Sequence, residues 1–453
     1  MENIINKINI KKILIFYLIL QPIIDIITSL CVRYISESLT LGVFVRTFFM
    51  IFIALYALII INNKDRIKSL IYYILLGIYI IVYLVVCYNQ NGMTMILTQI
   101  KGVIKNLYLP VVLVALFYIR KEKDIKIENK YFVWTLLGYT ASMFITRILG
   151  IAYPAYEVGY KEGTEGLFFA ANEVGAILGI LAPLLFIEFF KERKLINIIS
   201  IFLLVFSALE IGTKVPFLSM VGLIIVFIII CIIKLFEKKN MKKLINKIGI
   251  TIVCSLIVIL FMGYMPIGKN LGVNFVKVIS DKLSSENVEN NIIKDDTNKN
   301  TNSEINVDIT LSGRDAYLAN NIERFKNSSL IKKIFGNGYL INAEGEVQVN
   351  KLVEMDVFDI IFSHGIIGTI LIFLPVIYMF IMIIINIFKN LKKVIFNEYV
   401  ILICYSIVIA YGISLLAGHV LVAPAVAIFI VFNLIEVDDK LKRINKGENQ
   451  FVH

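Results

Sequence analysis

The stretch "LGVFVRTFFMIFIALYALIIIN", residues 41–62, decides the fold. Apart from Arg46 and the small polar Thr47, nothing breaks its apolar run before the closing Asn62. At about 1.5 Å per residue, about 20 helical residues cross a hydrocarbon layer of about 30 Å. The run is continuous rather than alternating. It therefore reads as a membrane helix and not as a barrel strand, in which every second residue is polar.

The same reading repeats outward along the chain. Comparable runs lie at about 13–31, 69–89, 103–119, 131–151, 172–190, 195–212, 215–235, 248–266, 357–388, 398–416 and 419–435. The chain has 453 residues, 58% of them hydrophobic. Its mean hydropathy of +0.81 is beyond what a soluble globular protein of this size carries. The expectation is an all-α polytopic membrane protein with about twelve transmembrane helices.

The net charge of +11 has to be sorted by membrane side before it says anything about partners. With the N-terminus inside, basic clusters fall on every inner segment: Lys7 to Lys12, Lys64 to Lys68, Arg120 to Lys130, Lys191 to Lys194, Lys234 to Lys247, Lys389 to Lys393 and Lys440 to Lys446. The short outer loops carry one basic residue or none. Both termini are then cytoplasmic, and the charge reflects topology and not a nucleic-acid partner. The organisation that follows is a membrane bundle of about nine helices over 1–266, an extracytoplasmic loop over 267–356, membrane helices over 357–435 and a cytoplasmic tail over 436–453. The range 13–30 is too long for the apolar core of a cleavable signal peptide.

Within the loop, the polar segment 284–306 is low in aromatics and reads as disordered. Its partial calcium-loop pattern (Asp296, Asn298, Asn300) fails at Thr301 and Val307. The following "TLSGRDAYL", 310–318, opens a short helix near 313–327. Ser312 and Asp315 resemble a capping box, and Tyr317, Leu318, Ile322 and Phe325 recur at helical spacing. "FGNGYL", 335–340, closes the unit with turn residues.

Cations inside apolar spans are costly and mark function or pairing. Arg46, Lys105 and Arg147 all fall in the outer leaflet, with Lys214 in an outer turn and Arg314 in the loop. Together they suggest a basic pocket opening outward for a lipid-linked phosphate or diphosphate. For Arg46 a structural ion pair with Asp25 is the competing expectation. Glu354, Asp356 and Asp359 precede the tenth span. They suit either a helix N-terminus or a general base, with Glu354 and Asp356 the catalytic candidates. Asn172, His364 and His419 are candidates for the substrate pocket. Three histidines and five scattered cysteines argue against a zinc site, and no metal is expected; a divalent cation on the Glu354-x-Asp356 spacing is the alternative. No Gly-rich phosphate loop is present, so no nucleotide cofactor is expected.

Four stretches carry a resemblance to the O-antigen ligase and polymerase superfamily of bacterial surface-polysaccharide assembly. They are "GLFFAANEVGAILGILAPLL" (166–185), "EIGTKVPFLSMV" (210–221), the "SGRDAYL" helix with its Gly-x-Gly turn, and "VEMDVFDIIFSHGIIGTIL" (353–371). Lys214 stands where the family usually has Arg, and Glu354 where the ligases carry His. The resemblance implies a GT-C-like architecture in the bacterial inner membrane. It also implies diphosphate contacts by Arg314 and Lys214, and undecaprenyl-diphosphate-linked oligosaccharides as substrates among membrane lipids. A flippase and a chain-length regulator are the implied partners. The expected activity is metal-independent polymerisation of lipid-linked repeat units into a capsular, exopolysaccharide or O-antigen-like polymer. Ligase-type transfer to another acceptor and flipping of the same lipid-linked sugars are the alternatives, with a peptidoglycan polymerase and a non-enzymatic scaffold behind them.

Overall fold

The computed structural model describes residues 8–35, 40–91, 96–156, 161–237, 241–271, 314–339 and 353–447. The segment 284–306 and the calcium-like pattern lie outside these residues. The helices before the outer loop are α1 Ile10–Ile19, α2 Gln21–Tyr34, α3 Leu41–Ile60, α4 Asn63–Asn91, α5 Ile96–Lys123, α6 Asn129–Ile148, α7 Ala171–Lys191, α8 Leu195–Glu210, α9 Lys214–Glu237, α10 Met241–Met262 and α11 Pro266–Asn270. The remainder are α12 Arg314–Asn327, α13 Leu330–Phe335, α14 Asp356–Lys389, α15 Leu391–Ile395, α16 Glu398–Leu416 and α17 Pro424–Asn445. Between α6 and α7, β1 Tyr153–Pro154 and β2 Thr164–Gly166 pair antiparallel.

A helix or a bent helix pair stands at each apolar run. Among the described residues, seven helices are long and apolar enough to cross a membrane: α3, α4, α5, α7, α9, α14 and α16. The pair α1–α2, bent by 50°, makes an eighth if it is one span. The bend falls where Pro22, in the first turn of α2, has no N–H to continue the hydrogen-bond ladder. Apolar residues are not confined to the interior. Phe44, Phe48, Ile81, Phe202 and Leu374 are exposed on outward faces. In water such faces would be a liability, and against lipid they are the expected solvent-facing surface.

The interior is built around α5, α7 and α17. The apolar window of α7 is 83% buried and that of α5 is 67% buried. On α17, Val426 to Val431 are wholly enclosed. This helix departs from the range expected at 419–435. It starts later, at Pro424, and runs on through the segment expected to be a tail. Ion pairs hold that extension. Arg120 on α5 reaches Glu436 at 2.7 Å and Asp439 at 3.0 Å, and Arg443 reaches Asp439 and Asp124 at 2.9 Å each.

Candidate functional site

Helix α14 breaks one residue after His364. Gly365 adopts φ 66°, ψ −172°, a region open in practice only to glycine. The break leaves carbonyls of the preceding turn without their helical donors. The Gly-x-Gly turn supplies replacements: Asn337 N–H donates to Phe362 O at 3.0 Å and Gly338 N–H to Ser363 O at 3.1 Å. Gly336 makes the approach feasible, because a Cβ there would collide with the backbone of Ser363 and His364.

Tyr339 then anchors the turn to α5. Its backbone N–H donates to Gln99 Oε1 at 2.7 Å, and its carbonyl accepts from Gln99 Nε2 at 2.6 Å. The Tyr339 hydroxyl lies 3.0 Å from His364 Nε2 and accepts from Asn106. Tyr79 lies 3.0 Å from His364 Nδ1 and donates to the His364 carbonyl at 2.9 Å. With the Tyr79 proton committed to that carbonyl, Nδ1 is the donor and Nε2 accepts from Tyr339. His364 is 1% exposed, stacks on Tyr83, and has both ring nitrogens engaged. It fastens the outer segment rather than lining an open pocket. Burial also pushes the Tyr339 hydroxyl well above the ordinary tyrosine range, so it stays protonated and able to donate.

The segment before α14 is fastened as firmly. Asp356, 1% exposed, accepts from the backbone N–H of His419 at 2.7 Å, Val420 at 2.9 Å and Leu421 at 2.7 Å. These bonds hold residues 418–421 out of helical conformation, which accounts for the late start of α17. Three such donors satisfy the buried carboxylate and tie it in place. Glu354 and His419 both have left-handed backbones, φ 62° and 60°. Each costs about 1–3 kcal/mol and persists only where the surroundings impose it.

Arg314, the first residue of α12, meets Glu354: Nη2 lies 2.9 Å from Oε2. The Arg314 side chain is 15% exposed, and its buried Nε has no hydrogen-bond partner. Lys214, the first residue of α9, lies within the repulsive field of Arg314 and of Lys161. Arg314 is thus set against a carboxylate, with the charge of a second expected cation, Lys214, felt from α9. On α7, Glu173 feels the charges of Lys105, of His419 and of the Asp25–Arg46 pair. Glu173 follows Asn172 in the first turn of α7.

The other two cations are committed to structural pairs. Arg46, 6% exposed, pairs with Asp25 at 2.5 Å and donates to Gln21 at 2.9 Å beside the α1–α2 bend. Tyr139 donates to the second Asp25 oxygen. The structural pair weighed for Arg46 is therefore present. Arg147 pairs with Glu210 at 2.8 Å, and Glu210 is itself 2% exposed. Among the described residues, no group of three or more His, Cys, Asp or Glu is placed to hold a metal ion.

Several polar residues of this region carry no signal in the sequence. Gln99, Asn106, Tyr79 and Tyr339 are single polar residues in or beside apolar helices. Arg33 pairs with Glu165 at 2.5 Å and lies 3.8 Å over the Tyr153 ring, which fastens the β1–β2 hairpin. It falls just past the end of the first apolar run, where a basic residue draws no notice.

Among curated proteins, none matches the chain significantly. The family described as O-antigen ligase like membrane protein matches over residues 7–437, nearly the whole chain. With a helical membrane bundle, a Gly-x-Gly turn docked on a broken helix and an Arg314–Glu354 pair, this multi-pass membrane protein belongs to the O-antigen ligase like family.

Proposed function

We propose that the protein is a glycan polymerase of the bacterial inner membrane, with both termini cytoplasmic and about twelve spans in a GT-C-like arrangement. It joins lipid-diphosphate-linked repeat units on the outer face. The observation that carries this reading is the pairing of Arg314 with Glu354 within the field of Lys214. Clustered cations in a partly desolvated site favour an anion strongly, and a diphosphate matches the fork of an arginine. Arg314 and Lys214 hold the donor's diphosphate.

Arg314 holds Glu354. An arriving diphosphate competes for the guanidinium and releases the carboxylate. Glu354 then takes the proton of the acceptor hydroxyl as its oxygen attacks the anomeric carbon. The bond from that carbon to the diphosphate breaks, and the lipid diphosphate leaves with the electron pair. Its charge is met by Arg314 and Lys214, so the chemistry has no requirement for a metal. Direct displacement inverts the anomeric configuration.

The test is a cell-free reaction of purified protein with lipid-linked single repeats and no nucleotide. Chain growth that chelator does not reduce is expected. Arg314→Ala and Lys214→Ala should each lower it by at least tenfold, the loss of one charge-assisted contact of roughly 1.5–3 kcal/mol. Transbilayer movement of the lipid without growth would instead make the protein a transporter. Normal growth by both variants would refute the anion site.

A further inference from the structure

We propose that Asp359 is a positioning residue of the transfer, holding Glu354 in the backbone conformation that sets its carboxylate against Arg314. This rests on the reading of Glu354 as the base. The two oxygens of Asp359 take the N–H groups on either side of Glu354: Oδ1 from Val353 at 2.8 Å and Oδ2 from Met355 at 3.1 Å. In return, the Asp359 N–H donates to the Met355 carbonyl at 3.0 Å. Val353 and Met355 are 1% and 6% exposed, whereas the Glu354 side chain is 32% exposed. The flanking side chains are plugged into the protein, and Glu354 alone turns toward the site.

A left-handed residue of this kind stays put only when it is over-determined. Asp359 constrains Glu354 from the helix side. Gly418 closes on it from the other, so near that a Cβ at 418 would lie 2.5 Å from the Glu354 carbonyl oxygen. Freed of the Asp359 bonds, residue 354 relaxes toward negative φ and its side chain swings off Arg314. An ordinary helix cap accounts for the bond to Met355, the N-cap residue. It does not account for the bond to Val353, which lies outside the helix.

Asp359→Asn tests this. The amide keeps the size but offers one acceptor oxygen and turns its NH₂ toward the other N–H. With lipid-linked single repeats, kcat should fall about 10–100-fold, as misplacing a reacting group by about 1 Å does. KM should stay within about twofold and the thermal midpoint within a few degrees. In a Glu354→Gln background the same change should cost less than about twofold, because the group it positions is already disabled. Full activity of Glu354→Gln would remove the base and the positioning role together. A crippled Glu354→Gln beside an Asp359→Asn of normal kcat would overturn the positioning role alone. So would an equal loss in both backgrounds, or a loss matched by a lowered thermal midpoint. Should Asp359→Asn fail to accumulate in the membrane, Asp359→Ser, whose hydroxyl accepts from one N–H, replaces it with the same expectations.

Discussion

Replacing Gly336 with alanine should undock the outer segment from the broken turn of α14. Gly336 has φ 102° and ψ 164°, and its Cα faces the carbonyl of Ser363. The atoms an alanine methyl would strike are backbone, so no rotamer change can yield. Backing off breaks the bonds from Asn337 to Phe362 and from Gly338 to Ser363. Two buried carbonyls left without donors cost about 1–3 kcal/mol each, and the forced conformation adds about 1–3 kcal/mol. The sum, roughly 3–9 kcal/mol, shifts the docking equilibrium by more than about a hundredfold at its lower end. Asn337 is 7% exposed, so a cysteine placed there reports docking through its rate of maleimide labelling in purified protein. The rate should rise by a hundredfold or more in the Gly336→Ala background, with polymer formation lost and the protein still membrane-inserted. Gly77→Ala is the control, since a Cβ there meets nothing within 4 Å. Slow labelling and normal polymer length in Gly336→Ala would refute the docking geometry.

Three further outcomes follow from the same contacts. Tyr339→Phe strands His364 Nε2 and the Asn106 amide, and should lower the thermal midpoint by the equivalent of about 1–3 kcal/mol per stranded group; an unchanged midpoint would refute the anchor. Asp356→Asn turns an NH₂ toward backbone donors of residues 419–421 and should destabilise the protein markedly, whereas Glu354→Gln should leave the thermal midpoint unchanged while stopping polymerisation. At the C-terminal end of α17, burial works to raise the Asp439 carboxyl, but Arg120 and Arg443 outweigh it and hold it below the usual carboxylate range. A depressed folded pKa stabilises fully above the unfolded value of about 3.9 and is lost as pH falls below it, so Arg120→Gln should flatten the fall of the thermal midpoint between about pH 5 and 3.

Much of the architecture is legible in the sequence because lipid imposes a one-dimensional rule. A membrane helix must be about 20 residues long and apolar throughout, and such runs can be read without knowing what they touch. The short helix after Ser312 and Gly313 is legible for a similar reason, since capping and spacing are local. The partners of the charged residues are not. Asp25 lies 21 positions before Arg46 and Glu165 lies 132 after Arg33. Asp356 appears in sequence as a carboxylate at a helix start, and only the fold brings the N–H groups of residues 419–421 to it, 63 to 65 positions away. Sequence reading groups Glu354, Asp356 and Asp359 as three similar acids. The structure gives the first an arginine side chain and the other two only backbone partners.

That division bears on which acid does the chemistry. A general base must be free to gain a proton at the right moment, and its charge must be tolerated until then. Asp356 and Asp359 are bonded to N–H groups that cannot move without dismantling the segments they hold. Glu354 meets the side chain of Arg314, which in the proposed mechanism a better anion draws away. A diphosphate carries more charge than a carboxylate and offers more acceptor oxygens, so in the proposed mechanism its arrival exchanges the partners. The buried, unpartnered Nε of Arg314 already offers one donor for that exchange. On these grounds the proposed mechanism gives the role of base to Glu354, whose side chain is 32% exposed, and not to the fully buried Asp356.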